Sequence, residues 1–150
     1  VSTVLIVHHT PSPATRELLE AVLAGTRDPE IIGIDVVVRP ALAATVTDML
    51  DADGYIFGTP ANFGYMSGAL KHFFDTVYYP VLDYVANRPY GLWVHGNNDT
   101  AGAVSAVDRI AGGLSLVRSA DVLEVSGVID GAVRQRAYEL GGTLAAIVMK

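Results

Sequence analysis

The sequence predicts an α/β protein built on a parallel sheet with helices on both faces. Two observations carry that prediction. Short β-branched runs alternate with amphipathic stretches along the whole chain, and strands alternating with helices are the pattern of a parallel sheet buried on both sides. Half of the 150 residues are apolar (51%) and only 17% are charged. That is enough for one domain, residues 1–150, to bury a core without disulfides or metal.

The elements follow in order. Apolar runs at Val4–Val7, Ile31–Val38, Tyr55–Phe57, Leu92–Val94 and Val122–Val128 read as five strands. Leu18, Leu19, Val22 and Leu23 share one helical face after the first of them. A shorter helix is expected within residues 41–50. Leu70, Phe73, Phe74 and Val77 give the third helix its apolar face, and Val104, Val107, Ile110, Ala111 and Leu114 the fourth. Val133, Ala137, Leu140, Leu144 and Val148 line the last helix.

The most informative segment is GTPANFGYMSGALKHFFD, from Gly58 to Asp75. A strand ends here in a loop of small residues and turns into a helix, which is where open α/β sheets hold ligands. Thr59, Pro60, Gly64, Met66, Ser67, Gly68, Leu70 and Lys71 make up a Thr-Pro-x-x-x-Gly-x-Met-Ser-Gly-x-Leu-Lys pattern. It resembles the loop after the third strand in flavodoxin-like FMN proteins, above all their NAD(P)H-dependent FMN reductase and quinone reductase branch. The resemblance implies a flavodoxin-like three-layer sandwich with a five-stranded parallel sheet of order 2-1-3-4-5. Two other α/β readings fail on the residues. A receiver-like domain needs an acidic pair after the first strand and an Asp after the third, where His8, His9, Thr59 and Pro60 stand. A Rossmann half needs Gly-x-Gly-x-x-Gly after the first strand, which is missing.

The first loop runs His8-His9-Thr10-Pro11-Ser12-Pro13-Ala14-Thr15-Arg16 into the first helix. Hydroxyls feeding a helix N-terminus suit an anion, because the first turn leaves backbone N–H groups free at the positive end of the dipole. The same residues also suit a plain helix cap. The flavodoxin-like proteins place a Ser/Thr-x-Thr-Gly-x-Thr loop here around a phosphomonoester. Thr10, Ser12 and Thr15 match its hydroxyls, with Ala14 beside them. Pro13 replaces its glycine, removing one N–H and fixing φ near −65°. Arg16, in the first helical turn, is a further candidate for the phosphate.

The ring of the flavin is expected between two further loops. Pro60, Ala61, Asn62, Phe63 and Gly64 supply close backbone approach, an amide and an aromatic rim. By resemblance, N–H groups around Asn62 and Phe63 face N5 and O4 of the ring. His95, Gly96, Asn97, Asn98 and Gly102 form the third loop, whose Asx residues suit a turn and the pyrimidine edge. No aromatic stands in this loop to stack on the ring, which leaves one ring face open to a hydride donor or a quinone. His9 and His95 are candidates for supplying a proton. His8, His9 and His95 are also the only histidines near enough in the fold for a metal site, and no ligand spacing supports one. Trp93 reads as core. Around Tyr78, Tyr79 and Tyr84 the tyrosines suit either a flavin wall or a surface for a homodimer or tetramer.

Composition excludes other classes. A net charge of −6 with scattered Lys and Arg argues against nucleic acid. No run of 18 apolar residues suggests a membrane span, no cysteine offers a thiolate or disulfide, and no export signal is evident, so a cytoplasmic protein is expected. The resulting expectation is an FMN-binding oxidoreductase. It carries electrons from NADH or NADPH through FMN to a quinone, another small acceptor or a redox partner protein. No side chain is needed as a nucleophile, because the cofactor carries the chemistry. A one-electron carrier of the flavodoxin kind, or a flavin-free regulatory homologue, is the alternative.

Overall fold

The computed structural model describes all residues, 1–150. The elements run β1 (Ser2–His8), α1 (Pro13–Thr26), β2 (Ile34–Pro40), α2 (Val46–Asp51), β3 (Gly54–Asn62) and β4 (Tyr65–Met66). They continue with α3 (Gly68–Val81), β5 (Pro89–Gly96), α4 (Thr100–Gly113), β6 (Val117–Arg118), β7 (Leu123–Ser126) and α5 (Gly131–Val148). The fold is the expected flavodoxin-like parallel α/β sandwich, but its sheet has seven strands rather than five. The hydrogen-bonded order is β2-β1-β3-β5-β6, with β7 also on β5 and β4 antiparallel on β3.

Two departures account for the extra strands. The predicted last strand, Val122–Val128, forms only over Leu123–Ser126, and an additional short strand, Val117–Arg118, precedes it on the same edge. Val117–Arg118 pairs with Pro89–Tyr90, and Leu123–Ser126 pairs with Trp93–Gly96; Ser119 N–H still donates to the Tyr90 carbonyl, so residues 120–122 leave the β5 edge between them. The second departure is a hairpin at the end of β3, where Ala61 and Asn62 pair with Met66 and Tyr65. The strand expected at Tyr55–Phe57 therefore runs on through Pro60 to Asn62. The proline is tolerated because the Gly58 carbonyl accepts from His9 N–H. Two residues further on, Pro60 faces the same side, where β1 has already ended.

Smaller boundaries shift for local reasons. β2 begins at Ile34 rather than Ile31, since Gly33 turns the chain at φ +70°. Residues 41–44 form a turn on the Pro40 carbonyl, and α2 starts only after Thr45, which caps it reciprocally with Asp48.

Two cores cover the sheet. On one face α1 and α5 pack over Val4, Ile6, Ile56 and Trp93. Backbones there approach closely, and a Cβ on Gly141 would lie 2.0 Å from the Val22 carbonyl oxygen. On the other face α2, α3 and α4 cover Leu5, Val7, Phe57 and Leu92. Phe57 meets Phe74 edge-on at 5.1 Å between ring centres. Both β1 and β3 therefore alternate faces with the period of two that strands impose. No helix is long and apolar enough to cross a membrane.

Candidate flavin site

Three loops leave the C-terminal ends of β1, β3 and β5, the three adjacent central strands. Together with the adjoining strand ends and helix starts they carry the phosphate and ring candidates read from the sequence, while Tyr78, Tyr79 and Tyr84 lie on or just after α3.

The β1–α1 loop is an ordered helix cap. Ser12 is the N-cap; its Oγ accepts from Thr15 N–H (3.2 Å), and its own N–H donates to Thr15 Oγ1 (3.1 Å). Pro13 occupies the first helical position, where its fixed φ and missing N–H cost least. Thr15 is buried, and its hydroxyl lies 3.0 Å from the Ser12 carbonyl oxygen, so it braces the loop from within. Thr10 Oγ1 pairs with His8 Nδ1 at 3.1 Å. Both the cap and the anion reading of these hydroxyls thus describe the same geometry. The Ser12 hydroxyl also lies 2.9 Å from Thr15 Oγ1, so the hydroxyls of this loop are tied to one another as well as to the backbone.

Donors elsewhere in the loop are scarce. Pro11 and Pro13 have no N–H, and those of His9, Ser12, Thr15 and Arg16 are engaged within the chain. Only Thr10 and Ala14 keep amides without a partner. Three buried side-chain polar atoms in the protein have no partner: Ser2 Oγ, His9 Nδ1 and Trp93 Nε1. His9 lies in this loop, and Trp93 pairs with Gly58, which in turn pairs with His8 at the loop's foot. Buried polar groups are rarely left unpaired. An unpartnered His9 Nδ1 within the loop, and an unpartnered indole in the sheet row at its foot, fit a site built for an anion such as the FMN phosphate. Burial, reinforced by the neighbouring His9, holds the His8 imidazole below its usual pKa near 6.5.

The ring side is built differently. Phe63 and Gly64 form the two-residue tip of the β3–β4 hairpin, at φ +53° and +70°. Such primed turns favour Asn-Gly, and a left-handed aromatic costs roughly 1–2 kcal/mol. Phe63 is nevertheless fully exposed (108%). An aromatic held in strain with no contact of its own to repay it points to a task at the tip.

Glycines bind this tip to the third loop. A Cβ on Gly102 would lie 2.1 Å from the Gly64 carbonyl oxygen, and one on Gly96 would lie 2.8 Å from the Ala61 Cβ. Asp99, itself left-handed at φ +46°, caps α4 by accepting from Gly102 N–H at 3.1 Å. Its carboxylate fills the space beside Gly64. Thr59, fully buried, accepts from Ser67 N–H (2.9 Å) and anchors the hairpin to the start of α3. Asn62, Asn97 and Asn98 are exposed on the rim. His95 turns away from it, its Nε2 donating to the Gly127 carbonyl at 2.7 Å. No three His, Asp or Glu side chains converge on a common point.

Sequence reasoning gave Asp99 no role and read Thr59 only as part of the loop pattern, not as the buried anchor of the hairpin. Asp99 carried a signal, a small acidic residue just before a helix. The buried Trp93 was placed correctly in the core, but nothing in the sequence shows that its N–H lacks a partner.

The comparisons with known proteins bear on this geometry. Residues 13–127 match the NADPH-dependent FMN reductase family. The chain belongs to that family. Its name carries both the cofactor, FMN, and the donor, NADPH, and the matched span takes in α1, the hairpin and the third loop. A flavodoxin of Aquifex aeolicus is 38% identical over 74 residues, 49% of this chain and 39% of the relative. An NAD(P)H dehydrogenase (quinone) of Geobacter sulfurreducens is 32% identical over 116 residues, 63% of this chain and 51% of the relative. The matches thus span about half or less of these curated relatives.

Solved structures agree on the fold. A flavodoxin from Streptococcus pneumoniae superposes with a TM-score of 0.80 at 22% identity, covering 98% of this chain and 100% of that one. A flavodoxin, WrbA-like protein from Agrobacterium tumefaciens gives 0.77 at 17% identity, with 99% and 98% covered.

Proposed function

We propose that this family member binds FMN across the three loops and passes electrons from NADH or NADPH to a quinone or another small acceptor. Bound FMN would supply the two-electron chemistry, hydride in from the nicotinamide and electrons out to the acceptor. The chain's own residues hold and orient it. Thr10, Ser12, Ala14 and the exposed Arg16 would bind the phosphate at the positive end of α1, with Thr15 bracing them. Ala61, Asn62, Phe63 and Gly64 would border the ring on one side, with Gly96, Asn97 and Asn98 along its polar edge.

The observation that carries the reading is the hairpin tip. Phe63 is strained, fully exposed and locked in place through Gly64 and Gly102, opposite a third loop with no aromatic. One ring face is then lined, and the other stays open to nicotinamide or acceptor. With His95 engaged by Gly127, His9 is the remaining candidate for a proton source.

A one-electron carrier role is favoured by the Aquifex aeolicus relative named flavodoxin. Steady-state assay separates the two. Reductase activity predicts oxidation of NADH or NADPH by FMN-loaded protein with a quinone present; a carrier oxidises neither coenzyme by itself. Association as a homodimer or tetramer is part of the proposal, through the surface around Tyr79 and Tyr84. Phe73, Phe74 and Val77 are buried in the subunit, leaving Tyr79 and Tyr84 exposed.

A further inference from the structure

The β1–α1 loop offers few free backbone donors, and an unpartnered donor is held in the sheet row at its foot. Trp93 is fully buried in β5, on the α1 side of the sheet, in one cluster with Ile6, Ile56 and Leu18. It pairs across the sheet with Gly58, which pairs with His8. The three form one row, and His8 is the last residue of β1 before the loop.

Gly58 has no side chain, and the indole takes the vacant space. A Cβ there would lie 1.9 Å from Cζ2 and 2.1 Å from Cε2. The indole therefore lies across β3 toward the end of β1. Its Nε1, bonded to that same Cε2, has no hydrogen-bond partner. An indole N–H can only donate, and a buried donor is rarely left unpaired.

Side-chain donors are scarce on this face. Pro60, the next β3 residue on the side of Gly58, has neither N–H nor hydroxyl. Pro11 and Pro13 have removed two amides from the loop above. We propose that the Trp93 indole N–H donates to the phosphate of bound FMN from under the loop, replacing donors those prolines took away. Trp93 is thus a determinant of selectivity for the phosphorylated flavin. The inference rests on the FMN reading above and adds a residue to it.

The chain has a single tryptophan, which makes the test clean. Flavin-free wild type and Trp93→Phe are titrated with FMN and with riboflavin. Loss of one charge-assisted hydrogen bond predicts FMN affinity lower by roughly tenfold or more, with riboflavin affinity unchanged. An unchanged FMN-to-riboflavin ratio in Trp93→Phe, with wild type still preferring FMN, overturns the role of Trp93 and leaves the FMN reading standing. A wild type with no preference for FMN overturns both.

Should Trp93→Phe fail to fold, the wild type answers through its one indole N–H resonance. Inorganic phosphate, which brings no ring of its own, should move that resonance downfield and slow its exchange with solvent. A resonance indifferent to phosphate at concentrations that shift the Ala14 amide overturns the proposal.

Discussion

The two ends of the candidate site achieve order by opposite means. At the phosphate end, side chains do the work: Ser12 and Thr15 cap each other, Thr10 leans on His8, and two prolines stiffen the turn. At the ring end the backbone does it, with Gly64, Gly96 and Gly102 letting two loops touch and Asp99 filling the remaining gap. The first arrangement tolerates change in pieces. The second depends on contacts that a single methyl group would break. Recognition of the phosphate and of the ring should therefore respond to different substitutions.

The largest effect is expected where the phosphate end meets the core. Gly58→Ala drives a Cβ into the Trp93 indole, and overpacking of a rigid core costs about 3 kcal/mol or more. The urea midpoint should fall sharply, or the protein should fail to fold. A midpoint close to wild type would show that the indole has room to move.

Gly102→Ala tests the ring end. It forces the hairpin tip off α4, and affinity for FMN and for riboflavin should fall together by roughly tenfold, as expected for about 1.4 kcal/mol. Ser12→Ala, in contrast, should weaken FMN alone. Titration of both flavins against both variants either separates the two ends or shows that they act as one.

Pro13→Gly sharpens the phosphate side. It returns one N–H to the first turn of α1, and FMN affinity should rise several-fold with riboflavin unaffected. Phe63→Asn probes the strain at the tip. Asn adopts the left-handed region more readily, so stability in denaturant should rise by roughly 0.5–1 kcal/mol, while flavin affinity or turnover falls. Equal or better turnover would leave the strained aromatic without a purpose.

The smallest effect concerns His8. The fold depresses its pKa and so favours the neutral ring. That contribution is complete above about pH 6.5 and shrinks as pH falls toward the depressed folded value, where the imidazole must charge. The melting temperature of flavin-free protein should drop between pH 7 and pH 5, and less so in His8→Asn. Parallel curves would remove burial of His8 as the cause.

These contrasts also explain what was legible in the sequence. Strand cores and helix faces were, because Val4–Val7 or Leu18 and Val22 reveal burial through their period. The ends of elements were harder. The third strand reads as Tyr55–Phe57, and only the early end of β1 lets it continue through Pro60 to Asn62. The additional short strand was invisible, since residues 117–118 carry no strand-like run and reach β5 only through tertiary pairing. At the site, hydroxyl spacing revealed the cap, and a cap and an anion cradle share one pattern. What could not be read was accessibility and partnering: that Thr15 is buried, that His95 is held by Gly127, that Phe63 stands alone, and that Trp93 has an N–H with nowhere to donate.

The central claim is that both ends serve one ligand, the flavin ring joined to its phosphate. It is tested most directly by titrating flavin-free protein with FMN and riboflavin while following Trp93 fluorescence. The account predicts binding of both, with FMN tighter by about a hundredfold, the scale of two charge-assisted hydrogen bonds. Equal affinities would contradict the phosphate cradle. Failure to bind either flavin would contradict the site as a whole.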